Sequence, residues 1–175
     1  MAGFAHFLKE IAPGYLGPVM KELGFKKRSG LVWRRDSTLE VRVLNSRYPD
    51  FYAGGKFTLE FERSSNGLFH KLSGFTRLGA ILDDAQRESF LNQSNSVAIS
   101  LDPPPQDFLD MIIFRDEYLA KFRPREKFDP EGWMRFTRAE HVHGWFALIV
   151  SVIPILVERA ELLDPKVINF GDLGY

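Results

Sequence analysis

The sequence predicts an α+β domain, a three- or four-stranded antiparallel sheet wound as a meander with helices packed mainly on one face. Three observations predict it. Apolar residues recur at helical spacing near both ends of the chain, short runs between residues 31 and 61 alternate with a period of two, and the links between those runs are too short for parallel crossovers. The chain has 175 residues, 45% apolar and 26% charged, which suits one domain over residues 1–175 burying roughly 70% of its unfolded surface. Disorder is excluded. With no cysteine, disulfides, thiolate metal sites and cysteine nucleophiles are excluded together, and a reducing, cytoplasmic setting is expected.

Phe4, Leu8, Ile11, Tyr15, Val19 and Leu23 form one stripe, so the chain should open with a helix that Pro13 kinks or splits. Gly24 is placed as its left-handed stop, with Phe25 folding back toward Met20. Residues 31–35 and 38–44 flank a tight polar turn at Asp36 and Ser37 and read as a hairpin. Residues 57–61 alternate, with Phe57, Leu59 and Phe61 on one face and Thr58, Glu60 and Glu62 on the other; Gly54 and Gly55 read as turn. A helix should start near Asp83 or Asp84, acids that suit a helix start better than a metal site. Val97, Ile99 and Leu101 alternate and suggest a fourth strand, before Pro103 to Pro105 enforce a break. Phe108, Met111, Ile112, Arg115 and Leu119 give a second helical stripe, and residues 121–131 read as a surface loop. Thr137 followed by Glu140 has the spacing of a capping box, opening a long apolar helix to about Leu163 that Pro154 should bend. Its run 145–157 is broken by Ser151 and Pro154 and falls short of the roughly 20 residues a bilayer needs, so a buried helix is expected. Residues 1–8 lack a basic start and read as no secretory leader.

The 23 basic and 23 acidic residues balance, but residues 1–80 hold 13 basic against 7 acidic and the remainder 10 against 16. A polarised molecule is expected, and nucleic-acid binding would need a local patch.

The segment 23–35, LGFKKRSGLVWRR, resembles domain of unknown function 4304, an uncharacterised bacterial family. The likeness lies in an opening helix, a Gly-Phe-Lys-Lys turn, a hairpin with an aromatic and a basic residue, a later strand like 57–61, and Trp133 before a long final helix. It covers about the first third of the chain and, more loosely, the last quarter. It implies a bacterial protein of this architecture and carries over no catalytic residue.

His6, His70, His141 and His143 form no metal motif: His141 and His143 stand about 200° apart on a helix, whereas helical metal pairs are three or four residues apart. Packed or surface roles are expected of them, with His143 within reach of Glu140 one turn away. No metal and no cofactor is expected. Residues 53–57, AGGKF, fail as a phosphate loop because position 50 is Asp and position 57 is Phe, and no GxSxG elbow is present.

Glu60 and Glu62 share a strand face that Glu40 and Arg42 can join. Cross-strand charge pairs on a solvated face outweigh an acid/base pair there. Lys26, Lys27, Arg28, Arg34 and Arg35 make the densest basic cluster, with Trp33 inside it. If Asp36 and Ser37 form the turn, Trp33 and Arg35 share the face of Glu40 and Arg42, while Val32, Leu39, Val41 and Val43 face the core. A tryptophan among arginines can stack a base or anchor a protein interface, unless a helix covers that face and Trp33 is core. The candidate binding surface is therefore Lys26, Lys27, Arg28, Trp33, Arg35, Glu40, Arg42, Glu60 and Glu62. The expected function is a non-enzymatic binding domain with a protein partner, immunity proteins being the class that the resemblance suggests. The alternatives are weak nucleic-acid binding through Trp33 and the basic cluster, or a small-molecule site between sheet and helices using Glu40, Glu60, Glu62 or His143.

Overall fold

α1 (Ala5–Glu22) runs unbroken through Pro13 and Pro18, so the expected split does not occur. Its buried stripe of Leu8, Ala12, Leu16 and Met20 packs along the last helix of the chain, and that burial outweighs the backbone bonds the prolines remove. Gly24, at φ 84°, ends the helix: its N–H donates to the Lys21 carbonyl at 3.0 Å and the Phe25 N–H to the Met20 carbonyl at 2.8 Å, the pair of bonds of a Schellman cap. The computed structural model describes residues 4–64, 67, 69 and 75–164.

The class is α+β with an antiparallel sheet. The strands are β1 (Lys26–Lys27), β2 (Val32–Arg35), β3 (Leu39–Asn45), β4 (Gly55–Arg63), β5 (Phe75–Arg77) and β6 (Met134–Phe136). They lie in the order β1-β2-β3-β4, and the far edge of β4 is shared by β5 near its end and β6 near its start. Among the described residues the sheet has β1, β5 and β6 beyond the expected three or four strands because these are only two or three residues long, too short for a period of two to register in sequence.

The β2–β3 register corrects the expected faces. Arg35 pairs with Leu39, so Asp36, Ser37 and Thr38 form a three-residue loop, with Asp36 at φ 49°. One extra loop residue turns β2 over. Trp33 and Arg35 join the side of Leu39, Val41 and Val43, and Val32 and Arg34 join Glu40 and Arg42.

Trp33, Val41, Phe57, Leu59, Phe61, Met134 and Phe136 form the inner face of the sheet, each at most 1% exposed. Against it lies α6 (Ala139–Glu161), whose buried side includes Trp145, Phe146, Ile149, Ile153 and Leu156. Phe146 stacks on Phe57 with ring centres 5.2 Å apart. By length and composition α6 could cross a membrane; here it is the central helix of the core, as its proline-broken run suggested. The Thr137–Glu140 capping box is absent, because the helix is capped at Arg138 without a side-chain bond and His141 takes the Thr137 N–H instead.

α2 (Leu78–Ile81) leads into α3 (Asp84–Ile99), which starts with a capping box between Asp83 and Gln86. α3 absorbs the expected fourth strand: Val97 and Leu101, four residues apart, are buried on a helical spacing while Ile99 is 68% exposed. The expected second stripe breaks into α4 (Gln106–Met111) and α5 (Arg115–Leu119), with Leu109 the buried residue of α4 and none in α5.

Candidate functional site

The structure separates the residues expected to form one surface. Lys26, Lys27 and Arg28 are exposed on the edge strand. Trp33 is 1% exposed and belongs to the core, so it is not available to stack a base. Arg35 lies over the Phe25 ring at 5.1 Å and pairs with Glu161 at the end of α6.

Glu40, Glu60, Glu62 and Arg42 do come together, on the face opposite Val41 and Phe61. Arg42 stands at the centre. Its Nη2 donates to Glu62 at 2.7 Å, and its Nε lies 3.4 Å from Glu60 and 3.8 Å from Glu40. Arg34 closes one side, its Nε donating to Glu40 at 3.0 Å, and Arg77 closes the other, its Nε 3.5 Å from Glu60. The strand pairings Arg34 with Glu40, Arg42 with Glu60 and Glu60 with Arg77 set this alternation directly.

The charge pairs are those expected, but the face is not solvated: Glu40, Glu60 and Glu62 are 4%, 2% and 1% exposed. Guanidinium planes and aromatic rings roof them, with Arg42 under Phe75 at 5.3 Å and Arg34 under Phe69 at 4.3 Å. Burial pushes the Glu60 carboxyl above its ordinary value against the pull of Arg42 and Arg77, and Glu62 adds to the rise. Three carboxylates face three guanidiniums, and the outermost of these, Arg77, is shared with Glu131. The basic cleft and the apolar groove described below are lined by other residues.

Of the described histidines His141 is buried, His6 half-buried and His143 exposed. The His141 Nδ1 accepts the Thr137 N–H at 3.2 Å, which leaves Nε2 as the donor to Ser100 Oγ at 2.8 Å, and that hydroxyl donates onward to the Val97 carbonyl at 2.7 Å. Burial, helped by the positive charge of Arg138, lowers the His141 pKa. His143 meets the Tyr15 hydroxyl at 3.1 Å rather than Glu140, and His6 lies beside the Phe7 ring. His70 lies outside the described residues. Among the described residues no group of three or more acids and histidines could hold a metal ion.

Two features escaped the sequence reading. Met111, a member of the expected stripe, is 75% exposed, and its neighbours Ile113 and Phe114 are 91% and 68% exposed. They line an apolar groove with Ile112 and Tyr118. Through Phe108, whose ring lies 5.3 Å from Tyr118, 5.5 Å from Phe51 and 4.9 Å from Tyr52, the groove continues onto two more exposed aromatics. The signal was present: four consecutive apolar residues, 111–114, fit neither a helical nor an alternating pattern with one buried side. The second feature is a basic cleft between α3, β6 and the loop after α5, to which Lys121, Arg123 and Arg125 contribute from a segment that reads simply as surface. Comparison of the chain with protein-family models, with curated proteins and with solved structures finds no match.

Proposed function

We propose that this chain is a non-enzymatic interaction domain that binds a protein partner through the apolar surface formed by residues 108–118 with Phe51 and Tyr52. The observation that carries this reading is the exposure of Met111, Ile113 and Phe114 in one contiguous groove. Exposed apolar patches of this kind mark interaction surfaces, because burying them on a partner recovers what leaving them in water costs. Glu117 and Lys121 line the groove, Lys121 already paired with Asp50, and the same segment carries Asp107, Asp116 and an Asp110 that lies 3.9 Å from Arg115. The rim is acidic. The partner it suits is a protein presenting an apolar patch edged by lysine or arginine. The buried and mutually paired state of Glu40, Glu60 and Glu62 supports the non-enzymatic half of the proposal. The likeness to domain of unknown function 4304, with a bacterial and immunity-like role, belongs to the same proposal and adds no chemistry to it.

The test identifies a partner that copurifies with the chain, re-expresses it, and measures its affinity for the purified wild type and two variants. Ile113→Asp with Phe114→Asp should weaken binding by about thirtyfold or more, the loss typical of central apolar anchors. Lys26→Glu with Lys27→Glu should leave it unchanged. The reverse pattern would move the interface to the basic hairpin, and self-association of the wild type alone would make the occupant a second copy of this chain.

A further inference from the structure

The basic cleft adjoins the apolar groove, sharing Lys121 with it, but its other lining residues are its own. Its volume is about 290 Å³, at the small end of ligand pockets. Five cations line it, Lys56, Lys121, Arg123, Arg125 and Arg135, against the two acids Asp50 and Asp129, an excess of three positive charges. Both acids are already engaged. Asp50 bridges Lys121 at 3.2 Å and Arg135 at 2.8 Å. Burial pushes its carboxyl up, but these two cations outweigh that and bring it below its ordinary value. Asp129 turns onto the backbone, its Oδ1 accepting the N–H groups of Glu131 at 2.9 Å and Trp133 at 3.4 Å. Lys56, Arg123 and Arg125 have no carboxylate partner among the described residues.

Contacts position the backbone at Arg125 and the side chains of Arg135 and Lys56. Asn95 of α3 clamps the loop by accepting the Arg125 N–H at 2.8 Å and donating to the Arg125 carbonyl at 3.0 Å. Arg135 Nη1 donates to the Ala53 carbonyl at 3.0 Å. Lys56 lies over the Trp133 ring at 5.1 Å. Placing Lys56, Lys121 and Arg135 before any ligand arrives avoids part of the ordering cost of binding an anion. Its shape selects among anions. Asp50 and Asp129 interrupt any continuous basic stripe along which a nucleic acid could run, and the Trp133 ring is engaged by Lys56 and by Arg77, also at 5.1 Å, rather than open for a base. Paired guanidiniums suit the several oxygens of a phosphate group.

We propose that this cleft binds a small, multiply charged phosphate-bearing molecule, gripped by Arg123 and Arg125 at its mouth and by Lys56 at its floor. The test is calorimetric titration of the full chain with pyrophosphate at low ionic strength. Saturable one-site binding is expected. It should weaken at least about tenfold in Arg123→Ala with Arg125→Ala, both exposed positions, and stay unchanged in Lys26→Ala with Lys27→Ala. If the first double variant does not fold, Lys56→Gln must show the loss. The proposal is overturned by absence of saturable binding at millimolar pyrophosphate, by undiminished binding in those variants, or by citrate binding as tightly as pyrophosphate. A single-stranded oligouridylate binding more tightly than pyrophosphate would overturn it in favour of RNA. Ile113→Asp with Phe114→Asp should leave pyrophosphate binding intact, so the two sites stand or fall separately.

Discussion

Arg42 stands among three buried carboxylates, and its replacement separates the value of an ion pair from the penalty for breaking one. Arg42→Met keeps most of the side-chain volume but leaves Glu40, Glu60 and Glu62 short of their central partner. We expect a loss of about 3–5 kcal/mol, the scale for an uncompensated buried charge, read from urea unfolding at pH 7. Glu60 already has a raised pKa in the folded chain, so its protonation favours the fold. Stability from this group is full below the ordinary value of 4.5 and is lost as pH rises through the folded value. The variant should therefore recover part of its deficit as pH falls toward 4.5; a deficit independent of pH would mean the glutamates had found other partners. His141 works in the opposite sense. Its folded pKa lies below the ordinary 6.5, so the stability tied to its neutral form is present above pH 6.5 and is lost as pH falls through the folded value. Protonation places a second donor at Nδ1, facing the Thr137 N–H. Unfolding midpoints measured from pH 8 to 5 should decline in the wild type and decline less in His141→Asn. Asp50, held below its ordinary 3.8, contributes its losses only at lower pH and does not confuse this window.

At the scale of elements, two glycines of positive φ, Gly54 with an extended ψ of −160°, test what a turn demands. Gly24 and Gly54 sit at φ 84° and 75°. A Cβ on Gly24 would meet only the flexible Arg35 side chain at 3.4 Å, whereas on Gly54 it would strike the Phe136 carbonyl and Thr137 where β6 pairs against β4. Gly24→Ala should cost about 1–2 kcal/mol, the left-handed penalty alone, and Gly54→Ala clearly more, with the difference read by thermal unfolding. Gly24 was legible in sequence because a helix stop leaves a local mark. The α1 stripe, the α3 start and the alternation of residues 57–61 were legible for the same reason. Trp33 was misplaced because strand facing depends on loop length, and no glycine marks whether the loop at Asp36 holds two residues or three. Residues 97–101 were misread because five residues with apolar ends and middle satisfy both periods, and only the packing of Val97 and Leu101 decides. The lattice of Glu40, Arg42, Glu60 and Glu62 was readable as a group, since its members share a face of one hairpin. Its burial was not, since Phe75 and Arg77 reach it from a strand too short to recognise.

For the molecule as a whole, the distribution of charge along the chain differs from its distribution in space. Residues 81–175 carry the acidic excess, yet four of the five cations in the basic cleft come from that half. The same half supplies most of the exposed groove, so both proposed sites draw more on residues beyond 100 than on the basic hairpin. The groove should be separable from the fold. Met111, Ile113 and Phe114 are outside the core cluster, and replacing exposed side chains ordinarily shifts stability by no more than about 0.5 kcal/mol. Ile113→Asp with Phe114→Asp should thus unfold in urea at nearly the wild-type midpoint. The native wild-type chain should bind the apolar dye ANS at neutral pH, and the variant should not. If the variant instead unfolds at a much lower denaturant concentration, residues 111–114 are part of the core in solution and the groove is not a docking surface. If it keeps its stability and still binds the dye, the apolar face available to a partner lies elsewhere on the chain.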